Sequence, residues 1–289
     1  MNRRANRHMG GFTLVELITV MVLSGVVLSY GVSFIRAPVQ ILEQSGNRAL
    51  TRHEVDMALA EWQRELRAAL PGSFRFRTNG SVLAIEIMHV TDTSTMLPSE
   101  LTDDSSEVLD PTVAESSFET LGNFATLTLP LTSSTLRLAV FDPATSSNPY
   151  AGTSQITPAG DQLTFQTGSS ADQTQVQMNP AVRFGTIGPL GKLFLLDGPM
   201  TFLCDPGTGK LTRYTGYAAD ANQSLRDSDA ELVAAGASAA VLAQGVSSCS
   251  IQSLTTASAQ QTAAEFSLTL TRNSELGQIR STVVIDNVG

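Results

Sequence analysis

From Phe12 to Ile35 the chain is apolar at almost every position and carries a single charge, Glu16. A helix built from this run has no polar face, so it must be enclosed on all sides or lie in lipid. At about 1.5 Å per residue it spans roughly 36 Å, enough to cross a bilayer with some tilt. Pro38 follows, where the helix either kinks or leaves the bilayer. From Glu54 the pattern changes. Val55, Leu59, Trp62, Leu66 and Ala69 recur at 4-3-4-3 spacing, while Glu54, Asp56, Glu61, Arg64, Glu65 and Arg67 fall largely on other faces. That spacing predicts an amphipathic helix resting on a sheet or a partner helix, with Trp62 as a core anchor, and Pro71-Gly72 ends it. The simplest element is therefore one helix of roughly 60 residues, apolar all round over 12–35 and amphipathic over 36–70.

Beyond residue 71 the pattern turns to short alternating runs, which predict a β-rich domain over 71–289. Phe74-Arg75-Phe76-Arg77 and Val82 to Ile87 flank Asn79-Gly80, a hairpin signal. Ala181 to Phe184, Lys192 to Leu196 and Met200 to Cys204 read as strands, and Asp205-Pro206-Gly207-Thr208-Gly209 turns the chain into Lys210 to Tyr214. Phe266, Leu268 and Leu270 alternate with Ser267 and Thr269, which predicts a half-buried strand, and Ile279 to Asp286 reads as the last one. The alanine-rich segment Asp229 to Gln244 predicts a helix interrupted by Gly236. Two long stretches read as loops, 91–119 and 142–180. The second is rich in Asn, Gln, Ser, Thr, Gly and Pro, so it is expected to add little core and to form a surface excursion where a ligand could be met. The fold class expected is α+β: a long N-terminal helix, its first half transmembrane, packed on an antiparallel sheet.

Ahead of the apolar run stands a short basic leader that ends in Gly10-Gly11, followed by Phe12-Thr13-Leu14-Val15-Glu16-Leu17-Ile18. An ordinary secretory signal is shorter and is followed by an A-x-A-like site, and none follows Ile35. A plain membrane anchor accounts for the hydrophobicity but not for this register. The segment from Gly11 to Val27 resembles type IV prepilins and type II secretion pseudopilins, the class with prepilin-type N-terminal cleavage and methylation. The resemblance implies a leader over 1–11, a cut after Gly11 by prepilin peptidase, and methylation of the new amine on Phe12. It also implies that Glu16 pairs with the N-terminal amine of a neighbouring pilin subunit on assembly. Physics agrees with that pairing: either charge alone is strongly unfavourable in lipid, and the two together are tolerable.

Charge and cysteines fix the sidedness. Arg3, Arg4 and Arg7 precede the span and belong on the cytoplasmic side of the inner membrane. The rest of the chain is then periplasmic, before any entry into a pilus or pseudopilus. The formal charge is -9, and removal of residues 1–11 takes away three arginines and no acids, leaving -12. No cluster of Lys and Arg lies beyond residue 67, so nucleic acid is not an expected partner. The two cysteines, Cys204 and Cys249, can pair in an oxidising compartment. Their spacing is not CxxC and no histidine lies beyond residue 89, so zinc is a poor alternative and a structural disulfide is expected. Closing such a loop restricts the unfolded chain by an amount worth on the order of 4 kcal/mol.

The acidic run with Asp92, Asp103, Asp104, Glu107 and Asp110 offers oxygen donors but no EF-hand spacing, and solvated loop is the plainer reading. No metal site and no cofactor are expected. Enzyme motifs are also missing: there is no GxSxG, HExxH, P-loop or strand-to-helix GxGxxG. His8 lies in the leader, His53 on the helix face and His89 at a strand end.

A narrower resemblance covers Leu193 to Tyr217 and the tail from Val241 to Cys249 with the closing Val-Val-Ile-Asp-Asn-Val. These segments are similar to the MshO-type minor pilins of mannose-sensitive haemagglutinin pili, relatives of the J-type pseudopilins of type II secretion. The alanine- and glutamine-rich insert around 253–264 and the acidic loop depart from that pattern. The resemblance implies assembly into a filament or its tip-initiating complex. A pseudopilus subunit and a tip adhesin are the alternatives.

Overall fold

The computed structural model describes residues 13–140, 148–152, 155–188, 190–255, 261–272 and 275–286. The expected leader 1–11, Gly11 and Phe12 lie outside them. The chain divides into two units, Met1–Leu50 and Thr51–Gly289.

The described residues of the first unit are Thr13 and the N-terminal part of α1 (Leu14–Arg67). Residues Leu14–Gly31 have a mean hydropathy of 1.9 and none of them is buried, which makes this stretch long and apolar enough to cross a membrane. The Thr13 hydroxyl accepts the Glu16 N–H at 3.2 Å and begins the helix. Pro38 stands inside α1 and does not end it.

In the second unit, the last part of α1 buries Val55, Leu59, Trp62 and Leu66. Among the described residues thirteen strands follow, all antiparallel: β1 (Arg75–Asn79), β2 (Val82–Met96), β3 (Glu115–Leu121), β4 (Leu131–Ser133), β5 (Arg137–Ala139), β6 (Gln162–Thr167), β7 (Thr174–Val182), β8 (Lys192–Asp205), β9 (Lys210–Thr215), β10 (Ser238–Gln244), β11 (Val246–Thr255), β12 (Gln261–Arg272) and β13 (Glu275–Asp286). A short helix, α2 (Asp229–Ala234), lies between β9 and β10. The first ten strands form one sheet in the order β10-β9-β8-β2-β3-β7-β6-β4, with β1 beside β2 and β5 beside β8. The last three form a separate sheet. The α+β class with an apolar N-terminal helix and a large antiparallel domain is what the sequence predicts.

The long β2–β8 pair is the spine of the sheet, running from Leu83↔Cys204 to Thr95↔Lys192 with a bulge at Asp197 of β8 and another at Thr91 of β2. On one face Leu83, Ile85, Ile87, Met200 and Phe202 pack with Val55, Leu59, Trp62 and Leu66 of α1 and with Phe266, Leu268, Leu270 and Val283. On the other, Ala84 and Leu203 pack with Tyr214 of β9 and are covered by Tyr217 and Leu232 from the excursion between β9 and β10. Glu86 is fully buried in β2, paired with Arg75 at 2.7 Å and accepting the Tyr217 hydroxyl at 3.1 Å. Burial pushes its carboxyl up against the pull of Arg75. Arg75 also stacks on the Tyr150 ring at 3.5 Å and donates to the Asp220 and Ala221 carbonyls, so this one ion pair ties three segments together.

Three expectations are corrected. The stretch 91–119 is not all loop: β2 runs on to Met96 and β3 begins at Glu115. Thr91, Thr93 and Thr95 suit a half-exposed strand, and β8 supplies a partner along the whole length. The stretch 142–180 contributes core rather than a detachable excursion. Within it β6 and β7 pair, and Leu163, Phe165, Val176 and Met178 are buried in a second cluster with Phe118, Leu138, Leu193 and Leu195. Its polar composition conceals two apolar residues per strand at a spacing of two, which is enough for one buried face. The helix expected over Asp229 to Gln244 stops at Ala234. Gly236 turns with φ 85°, and the alanines beyond pair with β9 as β10. Alanine's helix preference is worth less than a ladder of hydrogen bonds on an available edge.

Candidate functional site

The N-terminal segment is the first candidate. Glu16 stands exposed in the first turn of α1, the one charged side chain of Leu14–Gly31. Thr13 and Glu16 have the T-x-x-E spacing of a capping box, a helix-start signal legible in the sequence. Two hydroxyls of the span bond back to the helix itself: Thr19 donates to the Glu16 carbonyl at 2.9 Å and Ser29 to the Val26 carbonyl at 2.8 Å. A carboxylate in that setting costs about 2.5 kcal/mol or more in lipid until a cation meets it. The geometry thus offers one carboxylate near the start of a helix whose other residues over Leu14–Gly31 carry no charge.

The second candidate is the polar cluster that holds the C-terminal end of α1 to the sheet. His89 of β2 places Nε2 3.0 Å from Glu65 and Nδ1 2.8 Å from Asp197. Arg213 of β9 pairs with Glu61 and lies 3.4 Å from Glu65, and Arg64 reaches Glu65 at 2.9 Å. Where helix meets strand, the Leu70 N–H bonds the Met88 carbonyl and the Val90 N–H bonds the Ala68 carbonyl, each at 2.8 Å. The hydrogen bond from His89 holds the Glu65 carboxyl down at about 2, against its burial and with help from Arg64. Burial pulls the His89 imidazole down, but its bonds to Asp197 and Glu65 outweigh that and raise it to about 9. No sequence spacing announces this cluster, because its members come from α1, β2, the β8 bulge and β9.

These shifts set a pH profile. His89 is raised from 6.5, so its stabilisation is full below pH 6.5 and is lost as pH climbs toward 9. Glu65 is lowered from 4.5, so its share is full above pH 4.5 and is lost as pH falls toward 2. The unfolding midpoint should peak between pH 4.5 and 6.5. His89→Gln should flatten the alkaline limb in thermal melts, and an unchanged limb would remove His89 as its source.

Cys204 of β8 and Cys249 of β11 are joined in a disulfide that links the two sheets. The acidic stretch 99–115 borders an open groove lined by Asp103, Asp110 and Glu115, with Thr102 already bonded to Glu107. Among the described residues no group of three or more His, Cys, Asp or Glu is placed to hold a metal ion.

Against known families, residues 6–31 match the Prokaryotic N-terminal methylation motif. The chain carries a prepilin-type N-terminus. No curated protein and no solved structure matched it. The motif supports a place among type IV pilins and pseudopilins, and it implies processing by prepilin peptidase and assembly with other pilins. An exposed apolar helix with this motif is consistent with membrane anchoring of a pilin. Pilins and pseudopilins are structural subunits rather than known enzymes.

Proposed function

We propose that this chain is a minor pilin. Prepilin peptidase cuts after Gly11, Phe12 is N-methylated, and the mature subunit waits in the inner membrane with its domain in the periplasm. It then enters a type IV pilus of the mannose-sensitive haemagglutinin kind, or the complex that starts one, with Glu16 meeting the N-terminal amine of a neighbour. One observation carries the reading: the methylation motif falls on a helix that is apolar on every side and bears a single carboxylate. The likeness of Leu193 to Tyr217 to MshO-type minor pilins supports the choice of system. The disulfide inside the second stretch of that likeness, at Cys249, agrees with an oxidising periplasm. The same likeness extends to J-type pseudopilins, so a type II secretion pseudopilus is the second reading.

Mass spectrometry of the N-terminal peptide from membrane-purified protein tests the proposal. The expected peptide begins at N-methylated Phe12, and Gly11→Leu should abolish it, because a bulky side chain blocks the scissile position. A native chain still beginning at Met1, or one cut beyond Ile35, would end the proposal.

A further inference from the structure

We infer that the three-stranded sheet β11–β13 is a separable lid over the C-terminal part of α1, and that the Cys204–Cys249 disulfide is the clasp that keeps it shut. The strand ladder of the large sheet ends at β10. The chain leaves that edge through Gly245, which has φ 78° and no room for a side chain: a Cβ there would stand 2.8 Å from the Thr271 carbonyl oxygen. β11 then pairs with β12, and the three strands form a ladder of their own. Among the described residues its polar links to the rest of the domain include the Val246 N–H to the Gly209 carbonyl and Gln63 to Ser281.

Two stripes of α1 face these two sheets, and they are held unequally. Glu54, Glu61 and Glu65, spaced at seven and four, bond the Gln244 N–H, Arg213 and His89 on the large sheet's side. Those are charge-assisted contacts. Thr51 and Trp62 lie toward the lid. Thr51 is next to Gly277 of β13, and the Trp62 ring is 5.0 Å from Phe266 of β12. Their contact is apolar, and it leaves the Thr51 hydroxyl and the Trp62 indole N–H buried with no hydrogen bond. Lifting the lid hydrates both groups, so closure forfeits part of what the apolar contact contributes. A cross-link between β8 and β11 offsets that weakness, since it makes the separated arrangement costly in entropy.

A dithiol reductant opens the clasp. One of its thiolates attacks the sulfur of Cys249, the less buried of the pair, and Cys204 leaves as a thiolate that takes up a proton. The second reductant thiolate then attacks the reductant sulfur of the mixed disulfide, the bond to Cys249 breaks, and Cys249 leaves as a thiolate that takes up a proton. The protein then carries two thiols and the reductant one disulfide, a two-electron exchange.

The test uses the folded full chain in detergent, before and after dithiothreitol, followed by amide exchange and by acrylamide quenching of Trp62, the one tryptophan of the sequence. After reduction, amides of β11–β13 should exchange about tenfold faster or more while β2 and β8 keep their protection. Trp62 should become accessible to acrylamide at the same time. The Cys204→Ser/Cys249→Ser variant should behave like the reduced chain, and if it fails to fold, reduction of the folded protein still decides. Unchanged exchange in β11–β13 after complete reduction would overturn the inference. So would loss of protection in β2 and β8 in step with β11–β13, since the two sheets would then open as one body.

Discussion

Glu16→Ala should leave cleavage and membrane insertion intact and lower incorporation into filaments by about a hundredfold or more. The estimate follows from breaking one charge out of a buried pair, which costs roughly 3–5 kcal/mol because the partner is left uncompensated. Glu16 is the one charged residue in Leu14–Gly31, so no other residue of that stretch can take over the role proposed for it. The cleavage proposed at the Gly11–Phe12 bond lies several residues away, which is why processing should survive. Glu16→Gln makes the informative companion. An amide can still accept a hydrogen bond from an amine but carries no charge, so its incorporation should fall between the wild type and alanine. The measurement is the ratio of subunit in the sheared filament fraction to subunit in the membrane, with the N-terminal peptide checked in both. Normal incorporation of the alanine variant would remove charge pairing from the assembly mechanism.

Trp62→Ala should destabilise the globular domain by about 3–5 kcal/mol, the usual cost of emptying a buried aromatic site. Trp62 is fully buried in α1, sits against Phe266 and belongs to the cluster that joins α1 to both sheets. Its loss therefore loosens the helix from two layers at once. Trp62→Phe should cost less than half as much. Phenylalanine keeps most of the apolar contact and removes an indole N–H that has no partner in the fold. Denaturant unfolding of the full chain in detergent, followed by circular dichroism, separates the two variants. Equal losses for alanine and phenylalanine would mean that ring size, and not the void, sets the cost.

The elements with a strong local signature were legible in advance. Asn79-Gly80 turned β1 into β2, with Gly80 at φ 61°. Phe266, Leu268 and Leu270 alternated in the sequence and are buried in β12. The 4-3-4-3 positions from Val55 to Leu66 form the buried stripe of α1, because side chains three and four apart share one helix face. What was misjudged depended on partners far along the chain. Thr91 to Met96 is strand because β8 lies beside it, and Leu163 with Phe165 is core because Phe118 and Leu195 come to meet them. Ala239 and Ala240 are strand because β9 presents an open edge.

The same division holds for the site. The sequence by itself determined the apolar helix, its single carboxylate and the methylation motif, since all three are properties of neighbouring residues and need no tertiary contact. Only the tertiary structure decided that Glu65, His89 and Asp197 form one cluster, and that β11–β13 close over Trp62 as a sheet of their own. Those arrangements bring together residues from α1, β2, β8 and β12, and pairings at such separation are chosen by packing and burial across the whole domain rather than by any local preference of the chain.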